Sequence, residues 1–494
     1  MMSRPKEIYL IFLSLIVVFI LSFNVKAQDN TLYLMKGIPQ ANQLNPAYIH
    51  PCRVYVELPV ISSIKFNIRN TGFGFHDAVH EGTGTQSGTY FLDLENLDKK
   101  LKRMNYARTD LDIDLLGFGF GLKEWYFTFG IINHTELRLA YPHDVVSVKD
   151  GNWNVAANEA IPIKLNGTGI DVTVWNSIGV SAAKELFDGL TVGARFKYLQ
   201  GMANVNTRRS ELELNTTNNP ISLEAMMNYR LNASFPVNLG YASNGLVNRI
   251  DFDNSFDNIT GDFIFNGNRG IAIDAGVVYD LDESTQVTAS FTDLGFIRWK
   301  KNVNNFNAGG KYTFNGIDLD EYQANPGQTD LLEALQDSLL KVFTAEGSTK
   351  KYFTATTVKI YGGVTRIILP KLKAGATTRI EIHDLQLRPS LTLSMLYTPI
   401  SSIGTSLSYT IMNSKINQVG AGLAFGNKGA QLYIITDNIP VRFTKDTGSA
   451  LMWPYNARML SLRLGFNLLF GCTEEENKKS PRKPGKDKLC PAYW

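Results

Sequence analysis

Leu460-Ser461-Leu462-Arg463-Leu464-Gly465-Phe466-Asn467-Leu468-Leu469-Phe470 places Leu460, Leu462, Leu464, Phe466, Leu468 and Phe470 on one face and Ser461, Arg463, Gly465 and Asn467 on the other. A period of two is that of a β-strand, whose successive side chains leave opposite faces. The same alternation sets Leu190, Val192, Ala194, Phe196 and Tyr198 against Thr191, Gly193, Arg195 and Lys197. It returns in Leu372, Ala374, Ala376, Ile380 and Ile382 against Lys373, Gly375, Arg379, Glu381 and His383. Segments of about ten residues with this pattern, separated by polar turns, mark sheets with one apolar face. A soluble sandwich gives its polar face to water and a membrane barrel gives it to the lumen, so alternation alone leaves both readings open.

The N-terminus tilts the choice. Arg4 and Lys6 precede an apolar run from Ile8 to Phe23, and Val25-Lys26-Ala27 supplies a small residue for cleavage. This reads as a secretory signal peptide over residues 1–27, with the mature chain starting near Gln28. The rival reading, a membrane anchor, requires about 20 apolar residues, and this run is shorter. No Cys follows Ala27, so lipoprotein processing is not indicated. Nor does any later apolar stretch reach the about 18 residues of a membrane helix. A secreted chain rich in amphipathic strands therefore predicts an all-β, transmembrane antiparallel barrel of about 14 strands in the outer membrane of a Gram-negative cell, with outer-membrane lipid around it. Trp125, Tyr126, Trp175, Tyr198, Tyr279, Trp299, Tyr361, Tyr397 and Tyr409 lie on or beside predicted strands and are candidates for the interfacial girdles.

The expected organisation is a hatch or plug segment over 28–51, the barrel over 52–471 with two N-terminal strands between Arg53 and Asn70, and a charged periplasmic tail over 472–494. Long connections, Tyr141 to Asn166, Tyr241 to Asn268 and Lys301 to Lys351, should lie outside the cell. The last contains a predicted amphipathic helix through Leu331, Leu332, Leu335, Leu339 and Phe343, opened by Asp330 and Glu333. A second short helix is predicted from Leu94 to Leu101.

The chain of 494 residues carries a net charge of +3, and Arg4, Lys6 and Lys26 against Glu7 account for two of these charges, leaving the mature chain near +1. Nucleic acid is excluded as a partner on that balance. Charges fall instead within the strands: Arg195, Lys197, Lys359, Lys373, Arg379 and Arg463 against Asp112, Asp114, Asp274 and Glu381. Facing the lumen, they form either cross-lumen ion pairs that fill and stiffen the barrel or a charged permeation path. Cys52 would begin the first strand and Cys472 follow the last, at one rim of the closing seam, while Cys490 lies in the tail; Cys52 to Cys472 and Cys472 to Cys490 are the candidate bridges, against three free thiols.

Chemistry is sparse in the spacing. His76 and His80 are four apart beside Asp77 and Glu81, but Gly72 and Gly74 indicate a loop, and no third ligand is evident, so no metal is assigned. Gly420, Gly422 and Gly426 alternate with Val419, Ala421, Leu423 and Phe425, which is a strand face leaving room in a lumen and not a phosphate loop. Asp437 reads as a strand end. No Ser/His/Asp or Cys/His arrangement can be assembled from spacing, and neither an enzyme nor a cofactor is indicated.

Leu44-Asn45-Pro46-Ala47 resembles the Asn-Pro-Ala element near the N-terminus of FadL-type fatty-acid transporters and of the PorV and PorP/SprF barrels of type IX secretion. Leu34 to Gln40, Phe196 to Gly201, Phe291 to Trp299, Leu432 to Asn438 and Gly465 to Gly471 together resemble an uncharacterised Bacteroidota family of outer-membrane barrels. The FadL resemblance implies an N-terminal hatch inside the barrel and passive passage of small hydrophobic molecules. The PorV resemblance implies a non-transporting accessory or scaffold barrel with an envelope protein partner. Only Asn45, Pro46 and Ala47 carry the motif across.

Overall fold

A computed structural model describes residues 30–81, 89–154, 156–218, 221–235, 237–241, 247–252, 267–314, 344–383, 386–412, 416–426, 428–439, 443–445, 452–454 and 458–472. Fourteen antiparallel strands close a barrel. The first, β1, runs Cys52–Glu57 and, after an inward detour, Ile64–Asn70; both pieces pair with the same two neighbours, so the two expected N-terminal strands form one broken staff. Then come β2 Met104–Leu122, β3 Trp125–Pro142, β4 Gly169–Phe187, β5 Leu190–Asn218, β6 Asn268–Asp280 and β7 Thr285–Trp299. The ring continues through β8 Val358–Leu369, β9 Leu372–His383, β10 Gln386–Ile400, β11 Ile403–Met412, β12 Ile416–Phe425, β13 Gly429–Thr436 and β14 Met459–Cys472. It closes where β14 meets β1, with Cys52 opposite Cys472 and Val54 opposite Phe470.

The strands are inside out relative to a soluble protein. On β14, Ser461, Arg463, Gly465 and Asn467 are buried, whereas Leu464 and Phe470 are exposed. Leu407, Val419, Leu432 and Ile434 likewise face outward, so the apolar face is the lipid face and the polar face lines the lumen. This phase also sorts the aromatic residues. Trp125, Tyr279, Tyr397 and Tyr409 are exposed on the outer wall, but Tyr126, Trp299 and Tyr361 are buried, and Trp175 packs against a buried cluster with Trp299. For these four, the girdle assignment is corrected by strand parity, which turns them inward.

Turns of two to four residues join β2 to β3, β4 to β5, β6 to β7, β8 to β9, β10 to β11 and β12 to β13, all at one end. The long connections leave the other end. There β5, at 29 residues, outruns the ring: its first part pairs with β6, while Asn204 to Asn218 pair with Ile221–Ser234, which pairs in turn with Asn305–Phe314. The predicted helix Leu94–Leu101 is present as Leu94–Lys100, capped by the Asp93 side chain on the Asn96 amide. Residues 330–343, the signal segment 1–27 and the tail from 473, with Cys490, lie outside the described residues.

Candidate functional site: the lumen

The short-turn half of the lumen is filled by peptide. Residues 30–51 enter it as a short helix, Asn30–Leu34, and a 3-10 turn, Pro39–Gln43, with nearly every residue buried. Pro39 opens the second turn with a fixed φ and no amide to satisfy. Leu32, Tyr33, Leu34, Met35, Ile38, Leu44 and Tyr48 pack against Val278, Tyr361, Leu396, Tyr433 and Ile435 of the wall, forming the largest apolar cluster described. Each large side chain buried this way contributes about 1.5–3 kcal/mol before ordering costs. Tyr33 stacks on Tyr361 at 5.4 Å between centroids, and its hydroxyl meets Thr288 at 3.0 Å.

The Asn-Pro-Ala element is where this segment grips the wall. Asn45 Oδ1 accepts from the Ala47 amide at 2.9 Å, a local turn that Asn favours, and Asn45 Nδ2 donates to the Val277 and Ala289 carbonyls at 3.2 and 3.4 Å. The wall is shaped for it by two glycines paired in register, Gly193 on β5 and Gly276 on β6. A Cβ on Gly193 would stand 2.3 Å from the Pro46 carbonyl oxygen, and one on Gly276 would stand 2.0 Å from Asn45 Oδ1. Gly420 and Gly422 give the same clearance to Thr31 and Met35. Polar contacts complete the seat. Asp437 Oδ1 accepts from the Thr31 amide at 2.9 Å, Gln431 Nε2 donates to the Gly37 carbonyl at 2.9 Å, and Gln40 and Asn467 exchange amide bonds at 2.8 and 3.0 Å. His50 Nδ1 accepts from the Cys52 amide, so its Nε2 is the protonated nitrogen that donates to the Gly37 carbonyl at 3.0 Å. Burial lowers the His50 pKa from 6.5 to about 4.

Above the segment lies a polar cavity of about 70 Å3, room for a handful of waters. Arg195, Lys197, Lys359 and Arg463 line it with Lys65, Asp112, His134 and Asp293. Arg195 meets Asp274 at 3.1 Å and donates to the Asn42 carbonyl at 3.0 Å. Lys197 bridges Asp274 and Asp293 at 2.8 and 2.6 Å, and Lys359 reaches Asp293 at 3.0 Å. Arg463 donates to Gln43 at 3.4 Å, and Gln43 donates to Asp114 at 2.9 Å. Lys373 sits lower, at the short-turn end, within electrostatic reach of Lys36.

Nearer the long loops the lumen is filled by charge. Glu381 on β9, 1% exposed, binds Arg108 on β2 and also contacts Arg379 at 3.1 Å and Arg388 at 3.4 Å. β2 and β9 stand opposite each other in the ring, so this pair crosses the lumen. Arg108 also holds Asp110 at 2.5 Å, and Arg138 on β3 reaches Thr357 beside β8 at 2.7 Å.

Cys52 and Cys472 form a disulfide across the β1–β14 seam. His76 lies in a four-residue helix, Phe75–Ala78, and His80 lies in a strand, Val79–Glu81; the expected loop is thus a helix and a hairpin arm, pairing with Tyr90–Leu92. His80 contacts Asp93 at 3.2 Å, and no group of metal-ligating side chains occurs among the described residues.

Residues 46–437 match the model of a family of unknown function, DUF5723. The chain belongs to the DUF5723 family. No curated protein matches it. Among solved structures, a toluene transporter of Ralstonia pickettii, TbuX, is similar at 8% identity, covering 91% of this chain and 96% of its own, with a TM-score of 0.38. A FadL homologue of Pseudomonas aeruginosa is similar at 11% identity over 91% of this chain and 100% of its own, TM-score 0.36. The monoaromatic hydrocarbon channel CymD is similar at 8% identity over 87% and 92%, TM-score 0.40. A DUF5723 chain of this kind thus presents two candidate working parts, the seated N-terminal segment and the polar cavity above it. Gly193, Gly276, Asp437 and Gln431 act in the first and were not singled out for it in the sequence; the signal was present only as glycines at inward strand positions.

Proposed function

We propose that this DUF5723 protein is an outer-membrane channel for small hydrophobic molecules, with residues 28–51 as a plug at its periplasmic, short-turn end. The observation that carries the reading is the nature of the plug seat. Val278, Tyr361, Leu396, Tyr433 and Ile435 make the wall beneath the segment apolar, so a shift of the segment uncovers an inner surface that favours an apolar occupant. The signal peptide expected from the sequence over residues 1–27 supports the outer membrane as the location, and the outward apolar belt supports lipid as its surroundings.

A second reading, a non-transporting accessory barrel of an envelope complex, is favoured by the Arg108–Glu381 pair, which spans the lumen from wall to wall above the cavity. Extraction of the native protein in mild detergent followed by mass spectrometry of all that accompanies it separates the two. Bound apolar small molecules without a stoichiometric protein are expected for the channel. A stoichiometric envelope protein without such a ligand would overturn it in favour of the scaffold.

A further inference from the structure

The cavity above the plug holds an arrangement that passage does not require. Asp112, His134 and Ser177 occupy inward positions on the consecutive strands β2, β3 and β4. Register sets Asp112 opposite His134 and His134 opposite Trp175, one inward position from Ser177. His134 Nδ1 lies 2.7 Å from Asp112 Oδ1, and Nε2 lies 2.9 Å from Ser177 Oγ. A carboxylate only accepts, so in the neutral imidazole Nδ1 carries the proton and Nε2 is left to accept from the Ser177 hydroxyl. The orientation is held on every side: Lys65 Nζ binds the other Asp112 oxygen at 3.0 Å, and the Trp175 ring lies against the imidazole, 4.8 Å between centroids and 20° from parallel. A histidine that merely had to be satisfied in a polar lumen would need a partner; this one has a carboxylate behind it, a hydroxyl before it and a cavity beyond.

We propose that Ser177, His134 and Asp112 form a hydrolytic site for carboxylic esters, with Ser177 as nucleophile, His134 as general base and then acid, and Asp112 as the residue that positions the imidazole. Ser177 Oγ bonds to the ester carbonyl carbon while His134 Nε2 takes the hydroxyl proton. The tetrahedral centre collapses with cleavage of the bond to the alcohol oxygen, which receives that proton from His134. Water then adds to the acyl-serine by the same proton route, releasing the acid and restoring Ser177. Lys65, Lys197 and Lys359, each paired with a carboxylate, line the same cavity with Arg195 and Arg463 and give it the positive potential that favours an oxyanion. Pro39, Asn42, Gln43 and Leu44 of the plug form part of the cavity wall, so entry of an ester rests on the plug movement proposed above.

The test uses the full folded chain in detergent, its fold checked by heat-modifiable electrophoretic migration. It is exposed to diisopropyl fluorophosphate and to p-nitrophenyl acetate, alongside Asn45→Ala, which loosens the plug. Phosphorylation mapped to Ser177 in either protein is expected, with loss of labelling in His134→Gln and loss of ester hydrolysis in Ser177→Ala. Asp112→Asn should lower kcat by about a thousandfold with KM held, a split that a packing role would not produce. Folded protein unlabelled at Ser177 both with and without Asn45→Ala, or hydrolysis indifferent to Ser177→Ala, overturns the site. Labelling of Ser177 in a protein that takes up no apolar tracer would uphold the site and remove the channel reading, and tracer uptake with an inert Ser177 would do the reverse.

Discussion

The two halves of the lumen are filled by different physics. At the short-turn end the filler is a separate length of peptide, held by apolar contact, glycine clearance and a few backbone hydrogen bonds. Toward the long loops the filler is the wall itself, whose charged side chains meet across the bore. A peptide filler seated by apolar surface and backbone hydrogen bonds would strand no paired charge on leaving, whereas in an ion-paired filler each group that moves strands a buried counter-charge. On the proposed channel reading, motion belongs to the plugged half and stiffness to the charged half.

The sharpest way to break this comparison is in the charged half. Glu381→Ala leaves Arg108 and Arg379 buried without their shared carboxylate and should cost about 3–5 kcal/mol, read as a lower urea midpoint for unfolding from lipid vesicles. The seam comes next. Cys52→Ser removes a crosslink between residues 420 positions apart and should cost about 2–4 kcal/mol in the same assay, with the plug still seated. Asn45→Ala should cost about 1–2 kcal/mol for its two wall hydrogen bonds, and the loss should appear as faster hydrogen exchange in residues 30–51 while the strands remain protected.

A further test is one of pH. His50 is held neutral in the plug, with its pKa depressed from 6.5 to about 4, so as pH falls below 6.5 the released state takes the proton first. Stability of the seated plug is whole above that pH, declines between 6.5 and about 4, and falls no further from this group below it. Hydrogen exchange of residues 30–51 should accelerate across that window in the native chain and stay flat in His50→Gln, whose amide offers a neutral donor and acceptor.

The barrel was legible because lipid and lumen impose a strict period of two, and Leu460 to Leu468 shows it without interruption. Strand membership was less so: Cys52–Glu57 and Ile64–Asn70 read as two strands, since a detour between them looks like a turn until their common neighbours are known. Ile221–Ser234 has strand character yet belongs to the extension beyond the ring, because β5 continues past its pairing with β6 and carries it along. The lumen charges could be enumerated but not paired, as Arg108 and Glu381 lie 273 residues apart and meet only through ring closure. Asp112, His134 and Ser177 were hidden for the same reason, being separated by 22 and 43 positions with no motif spacing between them.

The central claim is that the N-terminal segment must move for apolar molecules to pass. Thr31→Cys combined with Ser408→Cys places a thiol on the plug opposite one on the wall, where the two hydroxyls now meet at 2.6 Å. Uptake of an apolar dye by cells carrying this pair in the outer membrane should fall to that of cells lacking the protein once the pair is oxidised. It should return on mild reduction, which leaves uptake by the native chain unchanged. Uptake by the locked barrel equal to that of the native chain would contradict the claim.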